Sequence, residues 1–487
     1  EILPTDDSPT EIVPVGTTYS WSAPVSDPVG VVTGGLPGTN ETSISQLLSN
    51  STDFPATLTY TVTPTVGTAG CEGSPFDVVV TVNPTIGIEP RGDTVYCNGE
   101  NTYDVTFSSV LDANTENLDE GEITYTWVND NPGIGLPSSG IGDIESFVAN
   151  NSTTQQIEGN ITVTSVYTFN DISCEGESTT FKIIVNPSPQ VIFSEDNQFI
   201  TSGETTASVD LTSPTSGVTF AWTAVADNGI TGLTTTSGTT LIPEETLFNN
   251  TTDPLTVIYT AVASGNIGFN CEGLPYYHVV TVNPKAQVNP EDDQTVCNED
   301  EILIEFTTNV SGGNMTYAWT NTNSAIGVSE SGSGNINYPA TNNSDAPISG
   351  TIVVTPSFEN GGNINVGDPI EFVITVNPTG QVNAVPSQIV SNGFDTSLVE
   401  FSTTNVNGNT TFNWENDLTS INLADSDSGN IPAFTAINTG TSPVIATITV
   451  TPTFENGGVS CTGPATPFEI TVNPTAQVNE NINIVVS

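Results

Sequence analysis

The chain has 487 residues, 35% of them hydrophobic and 12% charged, and a formal net charge of -52, because 55 acidic residues stand against three basic ones. A chain of this length exceeds one hydrophobic core and should divide into several domains. A surface almost free of Lys and Arg repels phosphate backbones and anionic lipid heads, which argues against nucleic-acid binding and electrostatic docking on membranes. No apolar run reaches the roughly 18 to 20 residues of a membrane helix, so no direct membrane insertion is expected.

A Val-Asn-Pro motif recurs at intervals of 94 to 103 residues along the chain. Self-similarity at a fixed period is the signature of repeat architectures. The prolines of the motif, Pro84, Pro187, Pro284, Pro378 and Pro474, predict repeats at 1–84, 85–187, 188–284, 285–378 and 379–474, followed by the opening strand of a further repeat at 475–487.

Each repeat has a strand with one tryptophan, two positions after another aromatic residue, and in repeats two to five a short opening strand precedes it. A Gly-rich turn, a polar loop and a strand that alternates Thr with apolar residues follow, and this period of two buries one sheet face. The last strand, 372–376 in the fourth repeat, stops at Asn-Pro because proline cannot donate to the ladder. The order predicts an all-β tandem array of about five immunoglobulin-like β-sandwich domains forming an elongated rod. The predicted core aromatics are Trp21, Trp127, Trp222, Trp319 and Trp414.

The polar loop before the alternating strand carries an Asn followed by Ser or Thr in most repeats. These segments match the eukaryotic N-glycosylation pattern, but their fixed place before a strand favours a turn. They begin at Asn50, Asn150, Asn249 and Asn342.

The two ends of the chain fall within repeats. Trp21 lies so close to the amino terminus that the first repeat lacks its opening strand, whereas residues 475–479 resemble the opening segment 379–383. One interpretation is that the chain is a window of a longer repeat protein. The other is head-to-tail polymerisation, in which the spare terminal strand completes the first repeat of the next copy.

Six cysteines occupy two positions of the repeat, and in so polar a chain they suggest oxidising, extracellular surroundings. Only the second repeat holds both positions, which predicts an intra-domain disulfide between Cys97 and Cys174. The alternative pairs Cys71 with Cys97 and Cys271 with Cys297 across a hinge. It is disfavoured because a last strand of about ten residues carries the chain roughly 33 Å, whereas bridged Cα atoms lie within about 7 Å.

No motif for catalysis stands out. His278, the single histidine, lies in an alternating last-strand run and is expected to be a strand residue rather than a base. Cys-x-x-Cys pairs and phosphate-binding loops are absent from the sequence, so we predict no enzyme and no cofactor. The tripeptide Arg91-Gly92-Asp93 is best explained by chance. The acidic run Glu291, Asp292 and Asp293 is a weak candidate for Ca²⁺ binding.

Several segments together resemble a known domain type: the Thr-Val-Asn-Pro hinge, 96–99 (Tyr-Cys-Asn-Gly), 296–298 (Val-Cys-Asn), 451–458 (Thr-Pro-Thr-Phe-Glu-Asn-Gly-Gly) and 461–463 (Cys-Thr-Gly). They look like the PKD-like repeats of giant surface adhesins from gliding Bacteroidetes, of the SprB gliding-motility type. The resemblance covers nearly the whole chain. It implies type 9 secretion, display as filaments attached to the outer membrane, adhesion to a substratum or surface glycans, and contact with the motility and secretion machinery.

Two functions therefore compete. The first is a stalk of a secreted cell-surface adhesin, in which strands of about ten residues give each repeat some 30 to 40 Å and five repeats roughly 150 to 200 Å. Its partners are neighbouring repeats of the same chain. The second is a spacer or carbohydrate-binding accessory region of a large secreted enzyme, which exposed aromatic platforms would favour.

Overall fold

The structure is a computed structural model, and it describes residues 13–110, 121–265 and 271–478. Their secondary structure consists of strands and three short 3-10 helices at Pro132–Ile134, Ser324–Ile326 and Thr419–Ile421. No helix in these three ranges has the length and hydrophobicity needed to cross a membrane.

Alternating Thr and apolar residues form the strands of the first two repeats. The first repeat contains β1 (Thr17–Trp21), β2 (Val25–Asp27), β3 (Val32–Thr33), β4 (Gly38–Glu41), β5 (Ser49–Asn50), β6 (Ala56–Val66), β7 (Cys71–Glu72) and β8 (Phe76–Val82). The second contains β9 (Gly87–Ile88), β10 (Thr94–Cys97), β11 (Ser109–Val110), β12 (Glu122–Asn129), β13 (Ser139–Ile141), β14 (Ile157–Phe169), β15 (Ile172–Glu175) and β16 (Thr179–Asn186).

The other three repeats follow the same plan. The third contains β17 (Ile192–Phe193), β18 (Gln198–Thr201), β19 (Leu211–Thr212), β20 (Val218–Ala226), β21 (Ile230–Thr231), β22 (Ser237–Gly238), β23 (Phe248–Asn249), β24 (Leu255–Gly265) and β25 (Tyr276–Asn283). The fourth contains β26 (Gln294–Cys297), β27 (Glu301–Ile304), β28 (Asn314–Asn321), β29 (Ser331–Ser333), β30 (Ile336–Pro339), β31 (Ile348–Asn360), β32 (Asn363–Val366) and β33 (Ile370–Asn377). The fifth contains β34 (Gln388–Ser391), β35 (Asn409–Asn416), β36 (Ser426–Ser428), β37 (Val444–Asn456), β38 (Val459–Thr462) and β39 (Thr466–Asn473).

Each of repeats two to five has its own large sheet, and the five types of strand come in the same order in all four sheets. An opening strand (β10, β18, β26, β34) lies at one edge, followed by the last strand (β16, β25, β33, β39), the central strand (β14, β24, β31, β37), the tryptophan strand (β12, β20, β28, β35) and a short strand. The opening strand runs parallel to the last strand, and the other pairs are antiparallel. Each opening strand ends beside the Asn of Val-Asn-Pro, as Cys97 does beside Asn186.

A smaller layer covers the large sheet and completes the sandwich. It is made of two-stranded pieces, such as β9 with β11 and β27 with β30, and of isolated bridges, such as Val105 with Ile144. Each repeat has its own buried cluster around its own tryptophan, and these tryptophans are only 2 to 7% exposed. The predicted all-β tandem array of immunoglobulin-like sandwiches is confirmed.

A glycine faces the tryptophan in the first four repeats. Trp319 lies opposite Gly332 on the short strand, and a Cβ added there would come within 2.2 Å of the indole ring. The ring therefore lies flat across backbone that has no side chain. The fifth repeat differs, since Asp427 stands opposite Trp414.

The first repeat departs from this order. Its last strand, β8, pairs with the central strand β6 but with no parallel opening strand among the described residues. The predicted spare opening strand at 475–487 falls largely outside the described residues, which stop at residue 478.

Candidate functional site: the junctions between repeats

The single histidine lies inside a core. His278 is 1% exposed on β25, and its ring lies 5.5 Å from that of Phe193 and 6.1 Å from that of Tyr259. Burial lowers its pKa below the ordinary value, against the opposing influence of Glu195. The same strand position holds Phe181, Phe372 or Phe468 in other repeats, so His278 fills a packing position.

The residues of the Arg-Gly-Asp tripeptide are bound within their own repeat. Arg91 Nη1 donates to the carbonyl of Thr106 at 2.6 Å, and the Asp93 carboxylate accepts the backbone N–H of Lys182 at 2.8 Å. Asn197, Asp293 and Ser387 hold the last strand of the later repeats in the same way. Asp93 thus binds the last strand of its own repeat, and the residue at its position does the same in the later repeats.

The acidic run considered for Ca²⁺ is not gathered into a site. Asp293 is occupied by the Val373 N–H at 2.7 Å, and burial together with neighbouring Asp292 raises the pKa of Glu291. Within the described ranges, no three Asp, Glu, His or Cys side chains cluster closely enough to hold a metal ion.

The Asn-rich loops form turns. The Asn50 side chain donates to the carbonyls of Phe54 and Val82 and accepts from the Thr52 N–H and hydroxyl. Asn151, Asn249 and Asn342 make the same bonds. Asn438 of the fifth repeat, which lacks the glycosylation pattern, donates to the carbonyls of Ser442 and Val472 and accepts from the Gly440 N–H. Since both ends of each amide are engaged, these side chains fasten the loop to the last strand.

The cysteines connect neighbouring repeats. Cys97 of the second repeat bonds Cys271 of the third, and Cys297 of the fourth bonds Cys461 of the fifth, each with Cα atoms 5.5 Å apart. The sequence separations are 174 and 164 residues. Cys71 and Cys174 are free thiols.

The expected intra-domain bridge between Cys97 and Cys174 is therefore wrong. Cys97 lies beside Asn186 at the hinge end of the second repeat, where Ile157 of the central strand pairs with Val185. Cys174 pairs with Tyr167, ten residues further along that strand, which is about 33 Å away. The two positions lie at opposite ends of the repeat, so a bridge forms only with the next repeat.

The Asn of Val-Asn-Pro fastens the same end of each repeat. Asn377 is fully buried, donates to the carbonyl of Asn456 at 2.9 Å, and accepts from the amide of Asn456 at 3.0 Å. Asn283 and Asn360 form an equivalent reciprocal pair between the third and fourth repeats. We name the hairpin formed by the end of the central strand and the short strand that follows it, 454–463 in the fifth repeat, the junction hairpin. The segment expected to act as a hinge is thus clasped by the junction hairpin of the next repeat.

One junction replaces the disulfide by hydrogen bonds. Between the third and fourth repeats, Thr201 and Asn365 stand at the positions of Cys297 and Cys461. Thr201 Oγ1 donates to Asn363 at 3.2 Å, and Asn365 accepts from the Ala286 N–H at 2.7 Å. Each such bond contributes only about 1 kcal/mol net, so this junction is held more weakly than a covalent one.

A glycine lets the linker between repeats pass close to the junction hairpin. A Cβ on Gly176, Gly367 or Gly463 would lie 1.9 Å from a linker carbonyl oxygen, that of Ala286 for Gly367. On Gly73 of the first repeat the nearest atom would be Pro64 Cγ at 3.0 Å. Glycine follows the cysteine motif because the linker leaves no room for a side chain.

A second contact lies across the junction. Ser311 of the fourth repeat donates its hydroxyl to Asp253 of the third and its N–H to the carbonyl of Thr252 at 3.0 Å. Thr404 donates to Asp345 at 2.9 Å at the following junction. Neighbouring repeats are therefore held at two separate places.

Sequence reasoning missed the junction role of the asparagines and of the glycine after each cysteine. Their recurrence in Val-Asn-Pro and Cys-x-Gly was visible, but it was attributed to turns and strand ends. The stronger signal was that the two cysteine positions are both filled in neighbouring repeats: Cys97 in the second with Cys271 in the third, and Cys297 in the fourth with Cys461 in the fifth.

Comparisons with known proteins agree with this fold. A family model described as PKD-like domain matches residues 5–86 and 199–286. Comparison with curated proteins finds no match.

Among solved structures, the chain is similar to Sidekick-1 immunoglobulin domains 1-5, with 13% identity, 94% of this chain and 93% of that chain covered, and a TM-score of 0.25. It is also similar to the insect immune protein hemolin, with 13% identity, 80% and 100% coverage and a TM-score of 0.21. It is also similar to Drosophila N-cadherin EC1-4, with 11% identity, 79% of this chain and 100% of that chain covered, and a TM-score of 0.25. At such identities and TM-scores the likeness carries no argument. Tandem PKD-like and immunoglobulin-like domains are typical of extracellular adhesion or structural proteins.

Proposed function

We propose that this chain is a stalk segment of a secreted cell-surface adhesin, serving surface attachment and gliding motility. The observation that carries the proposal is the covalent joining of successive repeats by Cys97–Cys271 and Cys297–Cys461. Bonds between repeats limit how far the array can be stretched, which is a property that suits a filament under tension.

The bridges create a short path for mechanical load. Force that enters the second repeat at Cys97 leaves the third repeat at Cys271 without passing through the strands between them. The residues enclosed by each bridge cannot be extended while the bond lasts. Each bridge thereby limits how far its pair of repeats can be extended under tension.

The disulfides also support an extracellular location, since such bonds persist in oxidising compartments. The resemblance to repeats of gliding adhesins adds outer-membrane attachment, type 9 secretion and contact with the motility machinery to the proposal. Substratum or surface glycans would be bound by other parts of the parent protein. We propose no catalytic activity and no cofactor for the segment.

The rival function, a carbohydrate-binding spacer of an enzyme, would need aromatic platforms on the surface. The five tryptophans are buried instead. Exposed aromatics, among them Tyr103, Tyr277 and Phe394, belong to three different repeats.

Single-molecule stretching of the whole chain tests the stalk. Opening one bridge should release a further contour length of about 600 Å, because it frees the 174 or 164 enclosed residues at about 3.5 Å each. The variant with Cys297→Ser and Cys461→Ser should gain this length under oxidising conditions, while Cys71→Ser, which alters a free thiol, should not.

The same final length for oxidised and reduced chains would contradict the load-bearing role. Saturable binding of the fragment on a glycan array would favour the rival. For the cellular part of the proposal, antibodies against the fragment should label filaments on intact gliding cells, and label confined to the cell interior would overturn it.

A further inference from the structure

The large sheet of the third repeat carries an uncharged apolar row on the face turned away from the core. Val225 on β20 pairs with Ile258 on β24, and Ile258 pairs with Val279 on β25, so the three side chains stand side by side. Val225 is 69% exposed and Ile258 is 39% exposed. Tyr277, which lies on the same face two residues before Val279, is 60% exposed. We name Val225, Ile258, Tyr277 and Val279 the outer patch.

Folding of the sandwich does not require an apolar row at this place. In the second and fifth repeats the equivalent row combines charged and polar side chains. They are Asp130, Asn160 and Lys182 in the second repeat, and Asp417, Thr447 and Glu469 in the fifth. The outer patch is therefore a feature that the fold of the repeat does not explain, and contiguous exposed apolar residues mark interaction surfaces.

The charge of the chain limits what can cover the outer patch. A net charge of -52 makes two copies repel each other over most of their surfaces. The outer patch contains no acidic or basic side chain, and the carboxylate of nearby Asp227 accepts the N–H and the hydroxyl of Thr256. Two copies can therefore approach each other with little repulsion at this face. A basic partner would instead be drawn to the acidic surface elsewhere on the chain.

The row is also symmetric about its centre, since it reads Val, Ile, Val in either direction across the sheet. A half-turn about an axis along β24 places Val225 of one copy opposite Val279 of the other, and Ile258 opposite Ile258. The same rotation brings Asp227 opposite Thr281 rather than opposite another acid. An interface between two identical copies needs a self-complementary surface of this kind.

We propose that the outer patch is a self-association surface, through which two copies of the chain pack face to face by their third repeats with Ile258 at the centre. Three strands about 4.8 Å apart and three same-face rows about 6.8 Å apart give roughly 300 Å² per copy. Stable interfaces bury about 1,200 to 2,000 Å² in total, so this contact is weak and reversible. The inference holds whether the array serves adhesion or only spacing.

Sedimentation equilibrium of the whole chain tests the proposal. Cys71→Ser and Cys174→Ser remove the two free thiols, so that no disulfide can join two copies. The weight-average mass should rise with protein concentration in about 1 M salt, where the Debye length is about 3 Å. It should fall towards the mass of one chain in about 0.01 M salt, where the Debye length is about 30 Å and the acidic chains repel each other. An interface held by ion pairs would weaken in high salt instead.

A matched pair of variants locates the contact. Val225→Asp places a charge in the apolar row and should abolish the rise in mass. Val128→Asp makes the same charge change on the corresponding face of the second repeat, where Val128 is 57% exposed, and should leave the rise unchanged. Because Asp130 occupies the position of Val225 in the second repeat, Val225→Asp is expected to fold, and an unchanged midpoint of urea unfolding checks this.

Cross-linking tests the geometry independently. Ile258→Cys or Val128→Cys adds a single thiol to the chain without free thiols, and oxidised glutathione serves as the oxidant. Contact at the centre of the interface raises the effective concentration of the thiol pair, so Ile258→Cys should form disulfide-linked dimers at least about tenfold faster. Equal cross-linking rates, or equal effects of Val225→Asp and Val128→Asp on the mass, would overturn the proposal. A chain that stays monomeric at about 1 mM in high salt would overturn it too, and would leave the outer patch to a partner of another kind.

Discussion

At the scale of single residues, two polar side chains make the third repeat unlike the others. His278 takes a position that holds phenylalanine in three repeats. Glu245 is 4% exposed, and although burial acts to raise its pKa, hydrogen bonds from Thr234 and Thr235 hold that pKa below the ordinary value. Both groups tie the stability of this repeat to pH, because a lowered pKa in the folded state means that the unfolded state takes up protons first.

Replacing His278 by phenylalanine should remove part of that dependence. The folded pKa of His278 lies below 6.5, so its contribution to stability is complete above pH 6.5 and is lost as pH falls from there through the folded pKa. His278→Phe should raise the free energy of unfolding of the third repeat by about 1 kcal/mol, since a buried polar ring is exchanged for an apolar one. The free energy of unfolding is measured by urea unfolding between pH 7 and 5, with hydrogen exchange of β25 as the signal for the third repeat.

The loss of stability caused by Glu245 should remain in that variant and appear at lower pH, below the ordinary value of 4.5. An unchanged slope between pH 6.5 and 5 in His278→Phe would show that the histidine does not couple to folding. Phe372→Leu in the fourth repeat is a control for core repacking, and it should shift stability equally at every pH.

At the scale of elements, the junction hairpin is the part that turns a sandwich into a member of an array. It carries the cysteine, the asparagine partner and the glycine that the linker crosses. The same hairpin in the first repeat carries Cys71 and Gly73 and has no described linker above it. Comparison of the two separates what the hairpin needs for its own fold from what the junction needs.

Gly463→Ala should therefore damage the junction, whereas Gly73→Ala should be tolerated. A methyl group at residue 463 would lie 1.9 Å from the Gly380 carbonyl oxygen, which is backbone and must move. Overpacking of this kind costs about 1 to 3 kcal/mol. Calorimetry of the whole chain should show a lower Tm for the transition of the fifth repeat, and equal effects of the two substitutions would contradict the linker argument.

The asparagine clasp allows a similar comparison. Asn377→Ala leaves the carbonyl and amide of Asn456 without their partner and should cost about 1 to 3 kcal/mol. Asn383→Ala, which removes an exposed bond to Ser402, should cost less than about 1 kcal/mol. Hydrogen exchange of residues 456–459 should rise in the first variant alone, and equal exchange in both would mean that the clasp does not hold the hairpin.

Much of this organisation was readable from the sequence. The spacing of Trp21 to Trp414 and the alternation in the central strands define the repeat, because burial of one sheet face is a local pattern. The pairing of Cys97 with Cys271 was not readable in that way, since it depends on how one repeat packs on the next. A hydrophobic pattern carries no information on that packing. Information on that packing comes only from comparing the cysteine positions of successive repeats. That comparison identifies the cysteine pairs once the junction hairpin is known to reach the preceding repeat.

At the scale of the whole molecule, the net charge and the junctions both affect the distance between neighbouring repeats. A net charge of -52 makes the repeats repel one another, and freely jointed repeats would spread further apart as salt is removed. Disulfides and asparagine clasps at the junctions oppose that response. The sequence-based estimate for five repeats in a row is roughly 150 to 200 Å.

We expect small-angle scattering of the oxidised chain to give a maximum dimension of roughly 150 to 200 Å that changes little between about 0.01 and 1 M salt. The variant with all four bridging cysteines replaced by serine should scatter as a broader set of conformations. Its dimension should increase at low salt, where the Debye length reaches about 30 Å and repulsion acts between neighbouring repeats. A salt-dependent dimension in the oxidised chain, or the same insensitivity in the serine variant, would mean that the disulfides do not set the stiffness of the array.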